Sequence, residues 1–148
     1  MDLKTPLPGQ MAISDSKIDP AAHSLTLGDV RRPDAPLIYI NKGFEQMTGY
    51  TPAEAIGRNC RFLQGPDTDR ATTARIGQAI ATGSPLIIDI LNYRKDGSAF
   101  WNRLSLRPVQ SPEGVTTHFI GIQTDITKMR ELEERLYGYA LELGAGTD

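Results

Sequence analysis

The sequence contains very few of the side chains that form disulfides and transition-metal sites. Its 148 residues include one cysteine, Cys60, and two histidines, His23 and His118. A single cysteine excludes a disulfide within the chain and a metal cluster of several cysteines. The two histidines are far apart in the sequence, so we expect no metal site. If Cys60 has a chemical role, it acts without a second cysteine.

The sequence also lacks an excess of positive charge and any long apolar segment. Its formal net charge is −2 and its pI is about 5.7, which leaves no broad basic surface for a phosphate backbone or an anionic lipid. The longest apolar runs, such as residues 86–88, are much shorter than a membrane span, and the first residues lack the pattern of a signal peptide. We therefore expect no nucleic-acid partner, no membrane partner and a cytoplasmic location.

The first half of the chain is predicted to contain a leader, a hairpin and several short helices. Residues 1–23 are expected to be an irregular or partly helical leader, because Pro6, Pro8, Gly9 and Pro20 interrupt it. Thr51, Pro52 and Glu54 have the pattern of an N-cap, a first-turn proline and a capping box. The predicted elements are strands at 24–27 and 37–40, helices at 41–48 and between Thr51 and Gly57, a turn at 59–63, and a helix at 67–82 ended by Gly83.

The second half has the alternation of apolar and polar residues that is typical of strands. Three strands are predicted, at 86–93, 99–108 and 116–124. Two strands, several helices and three strands in this order predict an α+β fold, a five-stranded antiparallel sheet with short helices on one face. We assign this domain to residues 24–126, between the leader and a C-terminal segment.

Residues 127–148 are predicted to form a C-terminal helix and tail. Apolar residues recur along the helix at spacings of three and four, which is heptad spacing: Met129, Leu132, Leu136, Tyr139 and Leu143. Two interpretations stay open. The helix either pairs with another helix as a coiled coil or lies back on its own domain.

Three carboxamides occupy one predicted face of the sheet. Alternation places Asn92, Asn102 and Gln123 on the same strand faces as isoleucine, leucine and phenylalanine residues. An unpaired amide in such a place costs about 1–3 kcal/mol. Amides both donate and accept hydrogen bonds, so the three together match the edge of a heteroaromatic ring with alternating carbonyls and ring nitrogens, such as the pyrimidine edge of a flavin. The plainer alternative is that single amides cap sheet ends or bind backbone groups.

The opposite sheet face is more apolar than a freely solvated face. It combines Ile87, Leu91, Trp101, Ile120 and Ile122 with charged residues. We expect the terminal helix or a second copy of the chain to cover it. A homodimer formed through this outer face and the terminal helix is the predicted assembly.

Residues 57–65 read GRNCRFLQG. This segment resembles, residue for residue, the GXNCRFLQG signature of light-oxygen-voltage (LOV) photoreceptors in the PAS superfamily. The similarity continues from about Leu25 to Thr127 and includes NYRKDG at 92–97 and FWN at 100–102. The resemblance suggests a short LOV protein or a fragment of something larger.

This resemblance implies a noncovalently bound flavin mononucleotide (FMN) and, after blue light, a reversible bond between the Cys60 sulfur and flavin carbon C4a. A lone buried thiol is normally inert, so light rather than a depressed pKa must supply the reactivity. By position, Arg61 would bind the phosphate, Asn92 and Asn102 the pyrimidine edge, and Gln123 the N5/O4 region. The remaining implied flavin contacts are Thr26, Asn59, Leu63, Gln64, Ile80, Leu104, Leu106 and Phe119.

Gln123 is also the expected signal relay. Formation of the adduct protonates flavin N5, so the group facing the Gln123 amide changes from an acceptor to a donor, and the amide is expected to rotate. Gln123 lies four residues before Thr127, where the terminal helix is predicted to begin. A change in its hydrogen bonds would therefore bias the docking of that helix.

One position departs from the LOV pattern. The family typically has a second phosphate-binding arginine on the long helix, where this chain has Gly77. Loss of one charge-assisted hydrogen bond weakens cofactor binding by about 1.5–3 kcal/mol unless Arg70 or Arg75 replaces it. We therefore expect looser FMN retention and tolerance of riboflavin.

The main alternative is a flavin-based redox sensor of the same fold, in which Cys60 has no essential role. A PAS-type interaction module without a cofactor is a third possibility. We do not expect an enzyme, because no Ser-His-Asp set, paired carboxylates or phosphate loop is found in the sequence.

Overall fold

The computed structural model describes residues 23–146, and the predicted leader at 1–23 lies outside them except for His23. Its elements are β1 (Ser24–Asp29), β2 (Leu37–Ile40), α1 (Lys42–Thr48), α2 (Pro52–Ala55), a 3₁₀ turn (Cys60–Leu63), α3 (Arg70–Thr82), β3 (Leu86–Tyr93), β4 (Ala99–Gln110), β5 (Thr116–Asp125) and α4 (Thr127–Gly146). The five strands form one antiparallel sheet in the order β2-β1-β5-β4-β3. The predicted α+β fold is confirmed.

The short helices begin and end where local side chains satisfy their free backbone groups. The side chain of Asn41 accepts a hydrogen bond from the Phe44 amide at the start of α1, and Thr51 and Glu54 form the predicted capping box of α2. Gly83 ends α3 with φ 67°, a left-handed conformation that glycine adopts at little cost. These caps fix the helices that lie over the sheet.

Helix α3 begins at Arg70 and not at residue 67, so the predicted start is wrong by three residues. Thr68 instead forms a tertiary hydrogen bond. Its hydroxyl donates to the Leu91 carbonyl oxygen of β3 at 2.7 Å and accepts from the Gly65 amide at 3.0 Å. The Asp69 side chain then caps the helix by accepting from the Ala71 amide at 3.2 Å. This contact with β3 keeps Thr68 outside the helix. Residues near Thr68 in the sequence give no pattern that predicts the contact.

Two buried clusters lie on the inner side of the sheet. One joins β2 to α1, α2 and the 3₁₀ turn, and its members are Leu37, Ile40, Phe44, Ala55 and Leu63. The other joins β3, β4 and β5, and its members are Ile88, Ile90, Leu104, Leu106 and Phe119. The space between these clusters contains the candidate site.

Helix α4 is attached to the domain only at its start. Ile126 is buried, the Thr127 hydroxyl accepts from the Trp101 amide at 2.8 Å, and the Arg130 guanidinium lies 3.8 Å from the Trp101 ring centroid. From residue 131 to residue 144 every side chain is exposed. The interpretation that the helix lies back on its own domain is therefore wrong for this chain beyond the first turn.

The outer sheet face consequently stays open in the described part of the single chain. Ile87 is 70% exposed and Ile120 is 37% exposed. Asp89 and Arg103 form an ion pair on the same face, with Nε 2.8 Å from Oδ1. Of the two covers expected from the sequence, helix α4 does not lie on this face beyond its first turn, and a second copy of the chain stays a prediction.

Candidate functional site

A cleft lies between the inner sheet face and the helices, and we call it the main cleft. All but one of the predicted site residues line it: Thr26, Asn59, Cys60, Arg61, Gln64, Ile80, Asn92, Asn102, Leu104, Leu106, Phe119 and Gln123. The main cleft therefore brings the sequence-predicted groups of β1, β3, β4 and β5 to one place.

Leu63 is the predicted contact that the structure does not bring to the main cleft. Its side chain is 1% exposed and packs with Phe44 and Leu37 in the cluster under β2. Sequence reasoning also missed several lining residues, among them Val30, Ala35, Ile76 and Ile90. Ile76 lies one helical turn before Ile80, and Ile90 alternates with Asn92, so their spacing in the sequence could have identified both as lining residues. Val30 and Ala35 belong to an irregular loop, where no such spacing applies.

Asn92 and Asn102 form a buried hydrogen-bonded pair in which one side-chain oxygen has no partner. The Asn102 amide nitrogen donates to Asn92 Oδ1 at 3.0 Å, and the Asn92 amide nitrogen donates to the Leu91 carbonyl oxygen at 3.3 Å. Asn102 Oδ1 is fully buried without a hydrogen-bond partner. Such an acceptor costs about 1–3 kcal/mol. It is suited to receive an N–H group of a ligand in the main cleft.

Gln123 differs from the expectation, because its amide is already paired within the protein. Its Oε1 accepts from the Ser24 hydroxyl at 2.6 Å, and its Nε2 donates to the Thr26 hydroxyl oxygen at 2.9 Å. β1 is antiparallel to β5, with Ser24 directly opposite Gln123. Gly121 leaves room for this arrangement, since a Cβ there would lie 2.3 Å from the Thr26 oxygen. Both partners are hydroxyls, which can donate or accept.

Cys60 begins the 3₁₀ turn and faces the main cleft. The Asn59 side chain caps this turn by accepting from the Arg61 amide at 2.9 Å. Burial raises the pKa of the Cys60 thiol to about 12, since low-dielectric surroundings disfavour the thiolate. The thiol is therefore protonated at neutral pH and is not a thiolate nucleophile in its resting state.

A second cleft adjoins the main cleft at Arg61, Asn59 and Ile80, and we call it the side cleft. Arg61 forms an ion pair with Asp34 there, and the hydrogen bonds to this carboxylate raise the pKa of the guanidinium. Gly77 of α3 also lines the side cleft. A Cβ at Gly77 would meet no atom within 4 Å.

Arg70 and Arg75 were the two candidates to replace the missing arginine at position 77. Both are exposed on α3, and neither lines the main cleft or the side cleft. Arg61 and Arg32 are the cations among the described residues that line the side cleft.

Within residues 23–146, no group of three or more His, Cys, Asp or Glu side chains is placed to hold a metal ion. No helix within the same residues is long and apolar enough to span a membrane.

Comparison with known proteins identifies the family. A family model described as the PAS domain matches residues 27–128. The solved LOV domain of the blue-light activated histidine kinase EL346 from Erythrobacter litoralis is 45% identical, with 71% of this chain and 96% of that chain covered and a TM-score of 0.69. The chain is a LOV domain of the PAS superfamily. The identity predicted from residues 57–65 is thereby confirmed.

This LOV domain is also similar to parts of longer proteins. Phototropin-2 of Oryza sativa subsp. japonica is 48% identical over 108 residues, which are 73% of this chain and 12% of phototropin-2. A blue-light-activated histidine kinase of Rhizobium johnstonii is 46% identical over 74% of this chain and 32% of its own length. The LOV domain thus spans a third or less of these two relatives, and the kinase activity in the name of the Rhizobium protein is a property of that whole protein.

A solved RNA-binding light-oxygen-voltage receptor has a TM-score of 0.76 and 42% identity, with 86% of this chain and 36% of that receptor covered. Its RNA binding is likewise a property of that receptor.

Proposed function

We propose that this LOV domain is a blue-light photoreceptor that binds FMN and uses Cys60 to form a reversible bond with flavin carbon C4a. The observation that carries the proposal is the meeting of a protonated cysteine thiol and an unpaired amide acceptor, Asn102 Oδ1, in one largely apolar cleft. The names of the relatives, which are blue-light-activated proteins, support the light response.

The residues present fit the flavin ring. Asn102 Oδ1 would accept from the ring N–H of the pyrimidine edge, and Asn92 would bind the neighbouring carbonyl after giving up its weak 3.3 Å contact with Leu91. The side chains of Leu104, Leu106 and Phe119 are buried on the same sheet face and would cover the flat face of the ring. Asn59 and Gln64 would bind the polar part of the cofactor, and Arg61 its phosphate.

Cys60 supplies both the sulfur and a proton. When bound and excited by blue light, flavin provides an electron-poor carbon at C4a. The thiol would add across the C4a–N5 double bond of the flavin. The S–H bond and the π bond would break, the Cys60 sulfur would bond C4a, and the proton would go to N5, so the step needs no external oxidant or reductant. A thiol with a pKa of about 12 retains this proton in darkness at neutral pH. The reverse transfer restores the resting thiol.

Gln123 would respond to this proton transfer by changing its hydrogen bonds. Its amide has hydroxyl partners on both sides, Ser24 and Thr26, and hydroxyls exchange donor and acceptor roles by rotating. The amide can therefore exchange its donor and acceptor ends between Ser24 and Thr26 when N5 becomes protonated. A change of its bonds to β1 alters how β1 and β5 are held together, and β5 leads into α4 after Asp125.

The output would be a change in the pairing of two chains through α4 and the outer sheet face. Four predicted heptad residues on α4 are more than half exposed in the single chain: Leu132, Leu136, Tyr139 and Leu143. Together with the open face around Ile87, they form an apolar surface that a second copy would cover. Light scattering of the full chain in darkness and under blue light tests this part. A mass equal to one chain under both conditions would contradict it.

The decisive test of the photochemistry is an absorption spectrum of the purified chain before and after blue light. We expect a bound flavin whose blue absorption band bleaches under illumination and recovers in darkness. Cys60→Ala should bind flavin and not bleach, because the sulfur is absent, while the smaller side chain leaves the cleft open. A flavin-loaded Cys60→Ala that bleached like the original chain would favour the redox-sensor alternative. A colourless protein that does not bind added FMN would favour a module without cofactor.

A further inference from the structure

The loop between β1 and β2 is fastened to the cysteine segment at one residue, Asp34. The Arg61 guanidinium donates to both carboxylate oxygens of Asp34. The Asn59 side-chain amide donates to the Asp34 carbonyl oxygen at 2.7 Å. The two anchors flank Cys60 in the sequence, and Ala35 of the same loop lines the main cleft together with Cys60.

The loop has an unfavourable backbone at this point. Asp34 has φ 67° and Ala35 has φ 45°, both in the left-handed region that non-glycine residues seldom occupy. Such residues persist only where the surroundings hold them. The bonds from Arg61 and Asn59 are the holding contacts at Asp34, and Ala35 is thereby placed on the wall of the main cleft.

The same guanidinium is the group assigned to the cofactor phosphate. A carboxylate and a phosphate both accept from the N–H groups of arginine, and Nη2 of Arg61, which donates to both Asp34 oxygens, is not free for a phosphate while that pair is formed. The nearest other cation of the side cleft, Arg32, lies 3.9 Å from Asp29 and shares that carboxylate with Arg31. The Asp34 carboxylate also places a negative charge where a phosphate would arrive.

We propose that Asp34 is a specificity-determining residue that competes with the flavin phosphate for Arg61, so that the site gains little affinity from the phosphate. This inference rests on the proposed function. Riboflavin, which has no phosphate, leaves the Asp34–Arg61 pair intact, whereas FMN must displace or share it. The chain therefore accepts both flavins with similar affinity, and Asp34 rather than Arg61 alone sets the ratio.

The test measures the affinities of the flavin-depleted 148-residue chain for FMN and riboflavin by quenching of flavin fluorescence in darkness. Asp34→Asn keeps the shape of the side chain and removes its charge. We expect FMN to bind about 1.5- to 5-fold more tightly, the range of one exposed ion pair, with riboflavin unchanged. Asp34→Gly removes the carboxylate and also suits the left-handed backbone, so it should give the same change in the ratio. Glu142→Gln, on the exposed part of α4, is the control for net charge.

The outcomes separate this inference from the proposed function. If the chain binds both flavins and neither Asp34 variant changes the FMN-to-riboflavin ratio, the inference is overturned and the photoreceptor proposal stands. Equal loss of both affinities in both variants would also overturn it, because it would assign Asp34 a structural role only. If the original chain binds neither flavin, both this inference and the proposed function are contradicted.

Discussion

Replacing Gly77 by arginine tests whether the phosphate end of the site is incomplete. Gly77 lies inside α3 and lines the side cleft with Arg61, and a Cβ added there would meet no atom within 4 Å. The first carbon of a larger side chain therefore has room. One new charge-assisted hydrogen bond to a phosphate contributes about 1.5–3 kcal/mol. Because the side cleft is open to solvent, we expect the lower end, an FMN affinity about tenfold higher.

A second effect of the substitution has to be separated from the first. Glycine within a helix destabilises it by about 1 kcal/mol relative to alanine, so Gly77→Arg also stabilises α3 itself. Gly77→Ala is the matched control, because it restores helix propensity without adding a charge. Both variants should raise the free energy of unfolding by a similar amount. The increase in FMN affinity should appear only with arginine, and riboflavin affinity should change in neither.

The assay is the same fluorescence titration with both flavins, together with thermal unfolding of the flavin-free chains. Equal FMN affinities for the original chain, Gly77→Ala and Gly77→Arg would refute the reasoning. An increase shared by alanine and arginine would assign the effect to helix stability and not to the phosphate. An increase with riboflavin as well would show that arginine contacts another part of the cofactor.

Three further predictions concern the relay, acid stability and packing. Gln123→Leu should retain bleaching but lose any light-induced change in hydrogen exchange of α4; an unchanged response would rule out the relay. Asp29 is buried, and the hydrogen bond from Arg31 lowers the pKa of its carboxyl group. The contribution of Asp29 to the stability of the folded state is therefore complete above the pKa of the unfolded chain, about 3.9, and is lost as the pH falls through the lower pKa of the folded state. Asp29→Asn should cost about 1 kcal/mol at neutral pH and less at about pH 3; a loss that does not depend on pH in urea titrations would contradict this. Gly65→Ala places a Cβ 2.2 Å from the Tyr93 ring and should destabilise the fold by about 1–3 kcal/mol, with an unchanged melting temperature as the contrary result.

The predictions that succeeded rest on local or periodic signals. Capping at Thr51 and Glu54 is encoded within four residues, and alternation along β3 and β4 places Asn92 and Asn102 on one face regardless of what covers them. The segment at 57–65 is long enough to indicate the family. The predicted start of α3 failed because it depends on a partner distant in sequence, the bond from Thr68 to β3. Leu63 packs with Phe44, and its contact with flavin stays a prediction.

The sequence by itself determined the fold class, the family and the groups that meet in the main cleft. Periodicity and a nine-residue signature can be recognised without knowing which residues are in contact. Only the tertiary structure decided how those groups are paired. Ser24 and Gln123 are 99 positions apart and bond because β1 lies beside β5, and Asp34 reaches Arg61 because a strained loop folds over the cysteine segment. It also decided that α4 leaves the outer face uncovered. Hydrogen bonds are short and directional, so which of several possible partners each group takes is set by three-dimensional placement.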